Sequence, residues 1–392
     1  MRTSDVFDLL RDGQPRTRAD LAEVSGLARS TIASRIDALM RLGLVAPYGG
    51  GRSTGGRPPA LIAFNPGAHV VVGVDLGATH AVAALSDLSG QVLGEVRADL
   101  DIADGPDPVL AWVTQAVRDL VGTHHRSMSE LAAIGMGLPG PVEHSTGRPI
   151  NPPIMPGWDR HDVVGHLRRE IDVPVLIDND VNIMALGERH QHLPSEADLV
   201  FIKVSTGIGA GIISGGRLQR GAQGTAGDLG HVHVAGSDDV VCRCGNRGCL
   251  EAVAAGPALA ASLRSSGVDA ETAHDVAQLV RAGDLNAVQV VRQAGRDLGE
   301  VVATLVNLIN PSVVVIGGSL AVADEQLIAG IREIVYQRSL PLATQHLRIV
   351  PSVAGERAGV LGAAAMAIEH VLSPEAIEAS TLSLVEPALP AG

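Results

Sequence analysis

Lysine is all but missing from this chain of 392 residues: of its 30 basic residues only Lys203 is a lysine. That imbalance reads as a coding bias toward arginine and not as a functional signal. Aromatic residues make up 2%, so a core must be assembled from Val, Leu, Ile and Ala, and a hydrophobic content of 46% is ample for one. No stretch approaches the roughly 18 uninterrupted apolar residues of a membrane helix. The opening "MRTSDVFDLLRDG" alternates charged and apolar residues and lacks the apolar block of a secretory signal. Cysteine is scarce too. The three present are an odd number inside one eight-residue window, which does not suit a secreted disulfide framework. Together these absences predict a cytoplasmic protein with no membrane partner.

The length implies two or three domains. The net charge of −13 is unevenly spread: residues 1–66 carry nine arginines against six carboxylates, and the remainder carries 21 basic against 37 acidic residues. A basic front end on an acidic body places any nucleic-acid contact in the first ~65 residues. That front end reads as three helices over 1–47. "RADLAEVSGLARSTIASRIDALMRLG" fits a helix-turn-helix: Ala22 lets two helices approach, Gly26 permits the turn, and Ile32 and Ile36 point inward. Arg29, Ser30, Thr31, Ser34 and Arg35 are then expected on the face that enters a major groove. "YGGGRSTGGRPPALIAFNP" reads as a hairpin wing whose Arg52 and Arg57 reach phosphate or a minor groove. The bland alternative, a helical dimerisation cap with a solvated basic face, is disfavoured by those hairpin arginines.

From His69 the pattern changes to strands alternating with helices, the signature of an α/β layer. "VVVGVDLG" is a buried strand ending in a tight turn, and two more strands follow. "LVFIKVSTGIGAGIISGGRLQRG" repeats the same three-strand plan, so two similar lobes with a cleft between them are expected. The last ~20 residues show no clear period and are expected to form a flexible tail.

The cysteines lie in "CRCGNRGC", as Cys242, Cys244 and Cys249. Three thiols and one imidazole form a common structural zinc set. His231 supplies the fourth ligand, with His233 as its near competitor. A closed site of this kind is structural, and it would hold the loops carrying Asp228, His231 and Glu251. Elsewhere, glycine-rich turns follow strands: Asp75, Gly77 and Thr79; then Thr206, Gly207 and Gly209; then Gly317 and Gly318. Such turns bring backbone N–H groups to phosphate, and an adjacent Asp can hold Mg²⁺ through water. "LIDNDVNIMALGE" places Asn179 and Asp180 at a strand end, where a carboxylate can be a general base and where Asn or Asp equally caps a helix.

The motifs "DLGAT", "GLPGP", "NDVN", "STGIGAG", "GDLGH", "CRCGNRGCLE" and "IGGSL" resemble those of the ROK family (repressors, open reading frames, kinases) over roughly residues 1–370. With the N-terminal winged helix, the transcriptional-regulator branch is the closer likeness. The resemblance implies an α/β protein: a winged helix-turn-helix (1–66) on a two-lobed, actin-like, ribonuclease H-like ATPase core, with a small lobe (67–185), a large lobe with the zinc site (186–372) and a tail (373–392). It implies sugar contacts from Asn179, Asp180, Asp228, His231 and Glu251, with Gly140 and Asn151 beside them. It implies ATP–Mg²⁺ contacts, where retained, from Asp75, Gly77, Thr79, Thr206, Gly207 and Gly209. Asp180 would be the base of a kinase. Three departures stand out: Ala78 replaces a glycine, His80 replaces the usual Lys or Arg, and Asp228 replaces Glu. One extra residue also separates His231 from Cys242. The expected function is a sugar- or sugar-phosphate-responsive repressor acting on operator DNA as a homodimer or homotetramer. The alternative is a glucokinase-like or N-acetylhexosamine-kinase-like enzyme carrying a DNA-binding module.

Overall fold

In the computed structural model, residues 2–49 and 60–384 are described. The front end is a winged helix. Helices α1 (Thr3–Asp8), α2 (Arg18–Ser25) and α3 (Arg29–Arg41) enclose Val6, Phe7, Leu10, Leu21, Ile32, Ile36 and Leu39, all fully buried. Thr17 and Asp20 form a reciprocal capping box that starts α2, and Gly26, at φ +69°, ends it. Strands β1 (Arg16–Thr17), β2 (Val45–Tyr48) and β3 (Leu61–Phe64) form an antiparallel sheet in the order β1-β3-β2. The wing tip with Arg52 and Arg57 lies outside the described residues.

The body contains two five-stranded sheets. The first consists of β4 (Val70–Leu76), β5 (His80–Asp87), β6 (Val92–Asp99), β7 (Leu131–Leu138) and β10 (Val175–Asn179), in the order β10-β7-β4-β5-β6. A small ribbon of β8 (Val142–Glu143) and β9 (Arg148–Pro149) stands beside it. The second consists of β11 (Leu199–Val204), β12 (Ile208–Ser214), β13 (Arg217–Leu218), β14 (Val313–Gly317) and β15 (Arg348–Pro351), in the order β13-β12-β11-β14-β15. Read from the third strand of each unit, the two orders are the same. In both, strands one to three form an antiparallel meander, and strands four and five add in parallel on the other side of strand one. The echo read in the sequence from three strands thus extends to the whole sheet.

Helices α4 (Pro106–Thr123) and α5 (Val163–Glu170) cover the first sheet. Helices α7 (Leu250–Ala254), α8 (Gly256–Ser265), α9 (Ala273–Arg281), α10 (Leu285–Ile309), α11 (Asp324–Arg338) and α12 (Pro341–Thr344) belong to the second unit. Between the sheets run α6 (Asp180–His192) and α13 (Ala358–Val371). Their backbones touch where they cross: a methyl group on Gly362 would lie 1.6 Å from the Ile183 carbonyl, and one on Gly187 would lie 2.0 Å from that of Ala358. Only glycine allows this approach. Farther along, α13 lies on β4 and β7, with Gly73 and Gly135 making room for its carbonyls.

Two expected boundaries shift. A division at 185/186 cuts through α6, and α13, expected in the large lobe, packs on the first sheet. The expected tail from 373 instead begins with helix α14 (Pro374–Ser383), which buries Ile377 and accepts a hydrogen bond at Glu378 from the Ser4 amide of α1. Ser373 caps that helix, a local signal present in the sequence. Among the described residues no single helix is long and apolar enough to cross a membrane.

Candidate functional site

The DNA-facing module presents Arg29, Ser30 and Ser34 as exposed side chains of α3, with Thr31 half-buried. Arg35 departs from the expected groove face. Its guanidinium turns back to α1 and donates to the Thr3 hydroxyl at 3.0 Å, so it joins two helices of the module. The reason is helical phase: position 35 lies next to buried Ile36 and Ile32, on the flank packed against α1.

The metal cluster assembles as read. Ligand atoms of His231, Cys242, Cys244 and Cys249 all lie within 4.8 Å of one another. The Cys244 and Cys249 sulfurs are 3.7 Å apart, and Cys242 Sγ is 3.7 Å from His231 Nδ1. A tetrahedral zinc with the usual bond lengths requires edges of about 3.8 Å and 3.6 Å, so the donors fit that ion. The knuckle is closed by a hydrogen bond from the Cys242 amide to the Asn246 carbonyl, with Gly245 and Gly248 at positive φ. His233 is ruled out as fourth ligand: its Nε2 faces Asp238 at 3.1 Å, and its ring covers Gly248.

The cleft residues come from both sheets. Asn179 is the N-cap of α6: its carbonyl oxygen accepts from the Val181 and Asn182 amides, and its Nδ2 donates to the Gly140 carbonyl at 2.8 Å. The capping reading therefore holds for Asn179, which also ties Gly140 to the strand end. Asn151 adopts φ +45° and donates its amide to Asp159. Asp228 and His231 are exposed, while Glu251 reaches under the second glycine turn and accepts from the Ile208 amide. A cavity of about 290 Å³ includes Pro141 and Ile150, the chain neighbours of Gly140 and Asn151, together with Thr146, Arg148, Arg160 and Thr225.

The glycine turns have packing reasons of their own. A methyl on Gly207 would meet Glu251, on Gly209 Val181, on Gly317 the Phe201 ring, and on Gly318 the Val204 carbonyl. Thr79 and Thr206 are exposed beside these turns. At the first turn, the His80 imidazole lies over Gly77, 2.1 Å from where a methyl would stand. The remaining cleft group was not foreseen. Lys203, dismissed from the sequence as the residue of a coding bias, places its Nζ 2.5 Å from Asp180 Oδ2. The other Asp180 oxygen accepts from the Val181 amide. Asp75 lies close enough to feel both. Burial pushes its carboxyl up to about 7, Lys203 pulling down and Asp180 pushing up. Burial works against the Lys203 ammonium, but the two carboxylates outweigh it and raise its pKa above the ordinary lysine value. A magnesium-bound nucleotide does not fit this arrangement. A lysine already stands at Asp180, and an imidazole covers the first glycine turn.

Two further residues escaped sequence reading. Buried Asp178 accepts from Arg220 Nε at 2.6 Å and from Asn182 Nδ2 at 2.7 Å, so it binds the 219–228 loop to the end of β10. Its position one residue before Asn179 was the available clue.

A winged helix joined to a two-lobed α/β body with a Cys₃His knuckle defines a DNA-binding regulator built on a sugar-kinase-type core. The ROK family profile matches residues 71–370, and the IclR helix-turn-helix profile matches residues 1–47. The chain belongs to the ROK family. It is similar to the xylose repressor of Caldicellulosiruptor bescii, 31% identical over 382 residues that cover 94% of this chain and 95% of that protein. A glucokinase of Halalkalibacterium halodurans is 32% identical over 307 residues, covering 74% of this chain and 92% of that one. Among solved structures, a ROK family transcriptional regulator described as a homologue of the Escherichia coli MLC protein superposes with a TM-score of 0.84 at 27% identity, covering 97% and 98% of the two chains.

Proposed function

We propose that this protein is a repressor of carbohydrate metabolism that binds operator DNA as a homodimer or homotetramer and answers to a sugar or sugar phosphate in the cleft. Helix α13 carries this reading. A methyl on Gly359, in its first turn, would lie 2.0 Å from Asp75 Oδ2, so that end touches the cleft. Toward its other end, Ala364, Ala367 and Ile368 share one apolar cluster with Val6, Phe7, Ile32, Ile36 and Leu39 of the winged helix. A ligand that favours one lobe arrangement biases a rod that shares an apolar cluster with the winged helix, and a twofold dimer converts the shift into altered spacing of half-sites. The ligand must bind the two arrangements with different affinity. Sugar hydroxyls would meet Asp228, Asn179 and Glu251, and the arginines of the neighbouring cavity would suit a phosphate substituent. Zinc in the Cys₃His knuckle is structural in this reading: with four protein ligands it has no open position for water. Against the kinase alternative, both Asp180 oxygens already accept hydrogen bonds, one from Lys203 and one from the Val181 amide.

The test is direct. Genomic fragments selected by the purified protein supply the operator, and its affinity is measured with a panel of pentoses, hexoses, N-acetylhexosamines and their phosphates. One ligand class is expected to change the affinity by roughly tenfold or more and to raise the melting temperature. A panel in which no member alters either quantity contradicts the reading, and sugar-dependent ADP release reinstates the kinase.

A further inference from the structure

Asp75 and Asp180 are 8% and 6% exposed, and both are buried near Lys203. Asp75 is the second-to-last residue of β4 and Asp180 begins α6 directly after β10, so both lie at the end of the first sheet; Lys203 comes from β11 in the middle of the second. Two buried carboxylates within reach of each other's field are costly unless a cation stands near them. A protein can meet that need with a metal ion or with a side chain.

We infer that Lys203 is the resident cation of this cleft: its ammonium pairs with Asp180, where a divalent ion would otherwise be drawn by the buried carboxylates, and it latches the second lobe to the first. The inference rests on the repressor reading only for its purpose, a cleft that answers to sugar and ignores nucleotide. Three consequences follow from the geometry. The Nζ–Oδ2 contact gives buried Asp180 a cationic donor from the second sheet. Charge repulsion by the ammonium disfavours a divalent cation at Asp180. Because the pair joins residues of the two sheets, any ligand that separates the lobes must break it or carry it along.

The proposal is tested on the full-length protein with magnesium alone as the probe. Mg²⁺ prefers oxygen donors, so it reports on the carboxylates and not on the thiolate knuckle. Thermal melts and calorimetric titrations are recorded at matched ionic strength for the parent and for Lys203→Ala, Lys203→Met and Lys203→Arg. The parent and Lys203→Arg are expected to show no saturable Mg²⁺ effect. Lys203→Ala and Lys203→Met are expected to melt lower and to recover with Mg²⁺, binding it at least roughly tenfold more tightly than the parent. Adding Asp180→Asn to Lys203→Ala is expected to abolish the gained response. If the neutral variants fold only when Mg²⁺ is supplied, the inference stands. It is overturned if they fold and gain no Mg²⁺ response, if they stay unfolded with or without Mg²⁺, or if the parent binds Mg²⁺ as tightly as they do. Neither DNA nor sugar enters the measurement, so failure here leaves the repressor reading intact, and failure of that reading leaves the latch intact.

Discussion

Two clusters of this molecule each concentrate groups that repel one another until a cation joins them, and they meet the need in opposite ways. The Cys₃His knuckle gathers four donors within 4.8 Å, and among the described residues no lysine or arginine hydrogen-bonds to its sulfurs. It needs an ion from outside. The cleft pair, Asp75 and Asp180, carries its cation on the same chain as Lys203. The difference separates scaffold from signal: an external ion would make the knuckle depend on metal supply, whereas by our inference an internal ammonium spares Asp180 that dependence.

The contrast breaks most visibly at the knuckle. Cys244→Ser is expected to lose the bound ion outright and several kcal/mol of stability with it, since metal binding and local folding are one equilibrium; metal analysis and thermal melts check both. Removing the internal cation is next. Lys203→Ala leaves buried Asp180 without its cation and is expected to cost about 3 kcal/mol in the absence of divalent ions, with zinc content unchanged. A smaller effect depends on pH. The Asp75 carboxyl is raised in the folded state, from the ordinary 3.8 to about 7. The folded protein therefore holds a proton that the unfolded chain has released, and stability falls as pH rises through that window, by at most roughly 1.4 kcal/mol per pH unit from this group. Asp75→Asn is expected to flatten the slope between the ordinary carboxylate range and pH 7, as read in denaturant melts; an unchanged slope removes Asp75 from the cluster. The smallest effect sharpens the ligand set: His233→Ala is expected to keep the full metal content, whereas His231→Ala loses it.

What the sequence revealed follows from distance along the chain. The knuckle was legible because its ligands span 231–249 and its glycines mark the turns. The winged helix was legible because Ile32, Ile36 and Leu39 repeat at helical spacing. The cleft was legible in its parts, but not in its pairing: Asp75, Asp180 and Lys203 are far apart in sequence and meet only when the two sheets face each other. A single lysine among arginines looked like composition, yet its shorter, point-charge head suits a slot between two carboxylates better than a planar guanidinium does. Arg35 was misplaced because helical phase alone does not say which flank of α3 meets α1. The tail was misjudged because α14 has a weak apolar stripe and is held by its contacts with α1 and α13, which no local pattern encodes.

The coupling of cleft to DNA module along α13 is tested most directly by measuring operator affinity and sugar affinity on the same protein, each with and without the other ligand. Linkage predicts that the sugar shifts operator affinity by the same factor as the operator shifts sugar affinity, roughly tenfold or more. Tight binding of both ligands with no mutual effect would contradict it.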